Sequence, residues 1–133
     1  MHIRQSNNQD TQAIQQVHLA AFPPEERETI AKLSADLLTG QSHPETLSLV
    51  AELNGAIVGN IIFSPVSINS SEQIKAYILS PLGVIPAAQK HGVGSGLIKA
   101  GLQQLEDMGA HLAFVYGDPA YYSKFGFTPE AAL

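Results

Sequence analysis

The chain has no cysteine among its 133 residues. That excludes a disulfide framework, a thiolate metal site and a covalent cysteine intermediate. Basic residues are also scarce: seven Lys and Arg stand against twelve Asp and Glu, for a net charge of −5. They are scattered, whereas a nucleic-acid footprint clusters them to neutralise phosphates, so no nucleic-acid partner is expected. The excess of acid is compatible with a cationic substrate. No apolar run approaches membrane-spanning length, and the polar start MHIRQ lacks a basic-then-apolar leader pattern. The expectation is a soluble, cytoplasmic protein with no membrane partner. His2, His43 and His111 form no ligand spacing, so no metal is expected. Internal repeats and low-complexity tracts are missing as well.

What is present is ordinary for a globular chain: 44% hydrophobic and 14% charged residues, enough for one core in one domain spanning 1–133. Ile3 lies in a brief first strand. Asp10 and Thr11 are helix-start residues, and Ile14, Val17 and Ala21 follow at helical spacing until Phe22-Pro23-Pro24 ends the helix. A second helix starts among Glu25, Glu26 and Glu28, with Ile30, Leu33 and Leu37 on its inner face and Gly40 as its cap. The period then changes to two. Leu47, Leu49, Ala51 and Leu53 alternate as a strand, Asn54-Gly55 is a hairpin signal, and Ile57 to Phe63 returns. After a polar turn at Asn69-Ser70-Ser71-Glu72 comes a third antiparallel strand, Ile74 to Ile85. Ser80-Pro81 interrupts it, marking an edge or a bulge, and Gly83 leaves backbone bare on one side. A simple kink easing sheet twist explains these residues equally well. A long helix from about Gly92 to Met108, stopped by Gly109, and a short strand His111 to Tyr116 make a parallel strand–helix–strand unit. A brief helix from Pro119 to Phe125 follows.

Chemistry concentrates between the third antiparallel strand and the long helix, in Gln89-Lys90-His91-Gly92-Val93-Gly94-Ser95-Gly96. Glycines let backbone approach a ligand, and the free N–H groups of a helix's first turn favour an anion. Lys90 adds charge, and a pyrophosphate suits the loop. A mononucleotide P-loop needs lysine before Ser95 and finds glycine. A dinucleotide fingerprint needs a third glycine where Leu97 stands, and glycines directly after the strand. The competing explanation is a turn that packs helix against sheet, although three glycines weaken a helix start with no packing gain evident in the sequence.

The spacing Gln89-x-x-Gly92-x-Gly94 resembles the acetyl-CoA signature of the GNAT superfamily of N-acetyltransferases. The apolar segment Pro81-Leu82-Gly83-Val84-Ile85-Pro86 precedes it, as in that family. Ala120-Tyr121-Tyr122-Ser123-Lys124-Phe125-Gly126-Phe127 is similar to the family's Tyr-x-x-x-Gly-Phe ending. Two motifs in order, with helix and strand between them, extend the likeness over nearly the whole chain. The string Gly117-Asp118-Pro119-Ala120-Tyr121-Tyr122 looks like a poorly characterised bacterial subgroup. The resemblance implies an α/β fold (α+β by some schemes) with a mixed sheet: antiparallel N-terminal strands, then a parallel strand–helix–strand unit. Only six residues follow Phe127, where family members usually add two strands. The expectation is therefore a C-terminally short domain, with an open edge at 111–116 that could pair with another copy as a homodimer.

The resemblance also implies a cosubstrate, acetyl-CoA, and places it residue by residue. Leu82, Gly83 and Val84 would offer backbone to the pantetheine arm, like an added strand. Lys90, His91, Gly92, Val93, Gly94 and Ser95, with Gln89 and Gly96 in the same loop, would hold the pyrophosphate. His91 stands where the family often has Lys or Arg. Tyr122 matches the tyrosine that faces the departing thiolate, Tyr121 being the alternative by position, and Phe125 would pack beside the cofactor. Without cysteine, direct attack of an amine in a ternary complex is expected, with a small-molecule or peptide amine as acceptor. A backbone N–H near Val84 would polarise the thioester carbonyl, and Tyr122 would act as general acid. For the base, Glu25 and Glu26 border the acceptor side, although ordinary helix-start acids look the same. Glu52 and water are further candidates, and His18 reads as a satisfied packing residue. A non-catalytic acyl-CoA-binding module is the alternative function.

Overall fold

A computed structural model describes residues 1–39, 46–66 and 75–115, together with Tyr122 and Phe125. The expected turn at 69–72, the cap at Gly40 and most of the expected helix at 119–125 lie outside the described residues.

Five strands make one sheet in chain order: β1 (His2–Gln5), β2 (Leu47–Leu53), β3 (Ala56–Val66), β4 (Ala76–Val84) and β5 (Leu112–Val115). The first three pairings are antiparallel and β4·β5 is parallel, joined through α3 (Val93–Asp107). This is the mixed α/β architecture expected from the sequence. The β2–β3 hairpin turns at Asn54 (φ 52°) and Gly55 (φ 82°), both left-handed as an Asn-Gly turn requires.

Two helical layers sandwich the sheet. Leu47, Leu49, Ile61, Phe63, Tyr77 and Leu79 face α3, which contributes Val93, Leu97, Ile98 and Leu105 to the same buried cluster. The opposite face lies under α1 (Thr11–Ala21), where Ile14, Val17 and His18 are buried, and α2 (Arg27–Thr39) packs against α1. Gly101 admits the α3 layer at close range, since a β-carbon there would run into the Phe63 ring.

Two sequence expectations shift. Asp10 does not cap α1 with its side chain. It closes a capping box with Asn7 around the short 3-10 turn Asn8–Asp10, and its carboxylate accepts two hydrogen bonds from the Arg4 guanidinium at 2.8 and 3.1 Å. Arg4 also holds Glu52 through Nε at 2.6 Å, so one cation ties β1, β2 and the start of α1 together. In α2 the inner face is Ala31 and Ser34, both buried, whereas Leu33 is 41% exposed. Small residues let α2 lie close on α1, and the heavier leucine turns outward. That helix begins at Arg27, so Glu28 stands in its first turn while Glu25 and Glu26 belong to the preceding turn.

Candidate active site

The parallel pairing of β5 with β4 runs from Ala76↔Leu112 to Leu79↔Val115, and β4 continues to Val84. Beyond Leu79, β4 is bonded to β3 alone among the described residues. At that point β4 carries an extra residue: Ile61 to Phe63 spans two steps on β3, opposite the three from Leu79 to Leu82 on β4. The bulge holds the cis peptide Ser80–Pro81. Proline without a ladder donor sits where the ladder is broken, as its position within a strand requires.

The bulge decides which backbone groups face the open edge. Ile85 N–H donates to Val58 O at 2.9 Å, which makes 85/58 a hydrogen-bonded pair in the register Gly59↔Val84 and Asn60↔Gly83. Antiparallel pairs alternate, so Gly83 directs its N–H and C=O at β3, while Leu82 and Val84 direct theirs away from it. The Val84 carbonyl is taken up by the Gln89 side chain, whose Nε2 donates to it at 3.0 Å. Val84 N–H and both groups of Leu82 remain on the edge side.

Gly83 is bare for a different reason from the one its position suggests. A β-carbon there would lie 2.5 Å from His18 Nδ1 and 3.3 Å from Phe22 Cε2. The missing side chain makes room for α1.

From the end of β4 the chain makes a 3-10 turn over Pro86–Ala88, anchored by buried Ala88, and then two left-handed residues, Lys90 (φ 69°) and Gly92 (φ 79°). Gly92 is the N-cap of α3, and space around its missing side chain is open to 4 Å. The first rung of the α3 ladder is Gly96 N–H to Gly92 O at 2.9 Å. The N–H groups of Val93, Gly94 and Ser95 therefore precede the ladder, at the positive end of a 15-residue helix. Lys90 and His91 stand exposed beside them. The helix start is seated by Val93 and Leu97, which pack over Gly59, where a β-carbon would meet them at 2.9 and 3.1 Å. A β-carbon at Gly96 would come within 2.9 Å of Met1 Cε and 3.1 Å of Ile3 Cδ1, the ends of flexible side chains, of which Met1 is 59% exposed and free to give way.

The remaining candidates divide. Tyr122 and Phe125 are half-buried and join the apolar layer on the α3 face, together with Leu82 and Val84. Glu25 and Glu26 are exposed in the turn between α1 and α2, shortly after Phe22 reaches Gly83. Glu52 is committed to Arg4, which makes it a poor base.

Sequence reasoning did not find the polar connection inside the α1 face. His18 Nε2 lies 2.9 Å from Asn60 Oδ1, and the Asn60 amide donates to Ser48 Oγ at 3.1 Å and Leu49 O at 2.9 Å. The Leu49 carbonyl can only accept, which orients the amide and makes His18 Nε2 the donor. Nδ1 is then a lone pair, buried without a hydrogen-bond partner. Burial pushes the imidazole pKa below its ordinary 6.5, opposed by the Asn60 bond, so the ring is neutral. The available signal was polar Asn60 within the apolar run Ile57–Phe63. Among the described residues no cluster could hold a metal ion, and no helix is long and apolar enough to cross a membrane.

Comparison with known proteins agrees with this geometry. Residues 2–129 match the family described as acetyltransferase (GNAT) domain. The uncharacterized N-acetyltransferase YjhQ of Escherichia coli is 36% identical over 127 residues, covering 95% of this chain and 68% of the relative. The crystal structure of a GNAT family acetyltransferase from Brucella melitensis in complex with acetyl-CoA superposes with a TM-score of 0.80 at 41% identity, over 97% of this chain and 83% of that one. The structure of E. coli YhbS in complex with CoA gives 0.87 at 31% identity, over 98% of this chain and 69% of that one. In direct sequence comparison YhbS aligns over 83 residues, so the chain spans about half (49%) of that relative. On this match, and on relatives that share both sequence and fold, the chain belongs to the GNAT acetyltransferase family.

Proposed function

We propose that the chain is a single acetyltransferase domain that moves an acetyl group from acetyl-CoA to a primary amine, of a small molecule or a peptide, by direct attack in a ternary complex. One observation carries the proposal: the unladdered N–H groups at the start of α3 lie at the end of the same loop that leaves the free edge of β4. An anion site there would adjoin a strand edge that is unpaired among the described residues, which suits a ligand that is a pyrophosphate at one end and an amide-bearing arm at the other.

The residues present fit that ligand. Backbone N–H groups from Lys90 through Ser95 would hold the pyrophosphate, and open space at Gly92 lets it approach. Leu82 and Val84 would pair with the arm through edge-facing backbone, Gly83 serving the packing beneath. Bound acetyl-CoA supplies an activated thioester and a thiol leaving group. One edge-facing N–H of this strand, that of Leu82 or of Val84, would polarise the thioester carbonyl. The amine nitrogen attacks that carbon, the C–S bond breaks, and the Tyr122 hydroxyl gives its proton to the departing sulfur. The amine proton leaves to water or to Glu25 or Glu26 on the acceptor side. Phe125 would pack beside the cofactor.

A non-catalytic acyl-CoA-binding module is favoured by one fact, the commitment of Glu52 to Arg4, which removes a candidate base. Acetyl-CoA should raise the melting temperature, corresponding to about 2.7 kcal/mol at a hundredfold excess over Kd; no shift would defeat both readings. Amine-dependent thiol release, sharply reduced in Tyr122→Phe, selects the enzyme. Release that ignores the amine, or that survives Tyr122→Phe unchanged, removes Tyr122 as the acid. A homodimer paired along β5 is also proposed, on the 41% exposure of Leu112 in that strand; a monomeric sedimentation coefficient would dispose of it.

A further inference from the structure

His18 has no solvent exposure, yet only one of its ring nitrogens is bonded. Its Nε2 is fixed to Asn60, and the two donor bonds of Asn60 to β2 fix that amide in turn. On the other side the ring meets β4. A β-carbon at residue 83 would fall 2.5 Å from Nδ1 and 2.9 Å from Cε1, so the imidazole rests against the Gly83 backbone. Phe22 closes the contact, its ring stacked on His18 at 5.8 Å between centroids and 29° between planes. Asn60 and Gly83 are cross-strand partners. The imidazole is thus wedged between a side chain of β3 and the backbone of β4.

The position of this wedge matters because of its neighbours in sequence. Gly83 lies between Leu82 and Val84, the two residues whose backbone groups face the open edge. It also follows directly on the bulge, where ladder constraint on β4 is weakest. A strand segment released on one edge, with a bulge at one end, needs support from its faces to hold an N–H in a fixed direction. Val84 lends its side chain to the α3 face, and His18 supports the α1 face.

We infer that His18 is a positioning residue for acetyl transfer: its imidazole, braced by Asn60, sets the position of β4 at Gly83 and thereby aims the edge-facing N–H groups of Leu82 and Val84, one of them at the thioester carbonyl. The inference rests on the proposed acetyl transfer. His18 touches neither cosubstrate nor acceptor. It acts through one glycine, and a larger residue at either position disturbs the fit.

The test is a double-mutant cycle with separate kinetic constants. His18→Ala and Gly83→Ala should each lower kcat by about tenfold or more, the scale of a lost or misplaced carbonyl donor. The KM for acetyl-CoA should move by less than about threefold, because the pyrophosphate hold on α3 is untouched. In the double variant the new methyl occupies space that the ring has vacated, so kcat should rise about tenfold above Gly83→Ala alone. Unchanged kcat in a folded His18→Ala protein, or a double variant as slow as the product of the single effects, overturns the inference. Should His18→Ala fail to fold, His18→Leu keeps the volume while removing the Asn60 bond, and must still lower kcat more than it raises KM. If the unsubstituted protein releases no thiol with any amine, the proposed function fails, and positioning is read from binding instead. Acetyl-CoA should then shift the amide resonances of Leu82 and Val84 in the unsubstituted protein but less in Gly83→Ala, with those of Gly92–Ser95 alike in both. Equal shifts at Leu82 and Val84 in the two proteins overturn it.

Discussion

Gln89 gives its side-chain amide to the carbonyl of Val84 at 3.0 Å, so the glutamine that opens the glycine loop is turned back onto the strand. The bond links the two halves of the candidate site, the edge of β4 and the loop that enters α3. It also occupies the edge-facing acceptor of Val84, leaving that residue's N–H as its free edge group. A net contribution of about 0.5–1.5 kcal/mol is usual for such a bond. Gln89→Ala should therefore weaken acetyl-CoA binding by about two- to twelvefold, as titration calorimetry would measure. Gln89→Glu should be at least as harmful, since a carboxylate cannot donate to that carbonyl. Unchanged affinity in both variants would leave the glutamine without a part in holding the loop.

Gly92 separates backbone demand from steric demand. Its φ of 79° is left-handed, and nothing lies within 4 Å of the place its β-carbon would take. Gly92→Ala therefore meets no clash and costs only the conformational penalty, about 1–2 kcal/mol. Urea denaturation should show that loss, and the same variant should bind acetyl-CoA more weakly as the N-cap relaxes. Gly92→Asn should be milder on both counts, because asparagine tolerates the left-handed region. Alanine as well tolerated as asparagine would mean that the loop does not depend on this conformation.

Much of the fold was legible because local patterns decided it. The stripe through Ile14 and Val17, the Asn54-Gly55 turn and the strand–helix–strand around α3 each depend on neighbours a few residues away. Pro81 marked the place of the irregularity but left edge, bulge and simple kink open, and the register of β3 on β4 shows the bulge. Three features escaped for one reason. Gly83 is bare because of His18, and Gly96 lies beside Met1 and Ile3, partners far away in the chain that no spacing rule connects. Leu33 faces outward because Ala31 and Ser34 take the α1 side, a choice between two small and one large residue made by helix packing rather than by periodicity. In the site, the glycine loop and its place at the start of α3 were readable, but which strand groups face the edge required the register of β3 on β4.

Gly101 and Phe63 show the opposite of Gly92: α3 crosses the ring so closely that a β-carbon at 101 would collide with it. Phe63 is fully buried, with little freedom to move aside. Overpacking of this kind costs about 1–3 kcal/mol, set against about 1 kcal/mol gained from the better helix propensity of alanine. Gly101→Ala should lower the urea midpoint at constant m-value. Phe63→Leu in the same protein should restore part of it, although Phe63→Leu alone is destabilising. Additive losses in the double variant would show that the two residues do not share this contact.

Stability should depend on pH in two separate windows. Burial holds the His18 pKa below its ordinary 6.5, so the folded state stays neutral while the unfolded chain takes up a proton as pH falls past that value. Stability attributable to this group is full above 6.5 and is lost on acidification toward the lower folded pKa, with a slope of at most about 1.4 kcal/mol per pH unit. Asp10 acts in a lower window. The Arg4 hydrogen bonds hold its carboxyl below the ordinary 3.8, so its contribution is intact above that value and disappears as pH falls through the folded one. Urea melts at pH 8, 6, 5 and 4 should show a decline that begins near 6.5 and steepens again below about 4. His18→Leu should remove the first decline and leave the second, because the Arg4–Asp10 pair lies in a different part of the α1 layer. A flat profile between pH 7 and 5.5, or an upper decline that persists in His18→Leu, would show that His18 is not the buried neutral base that its surroundings make it.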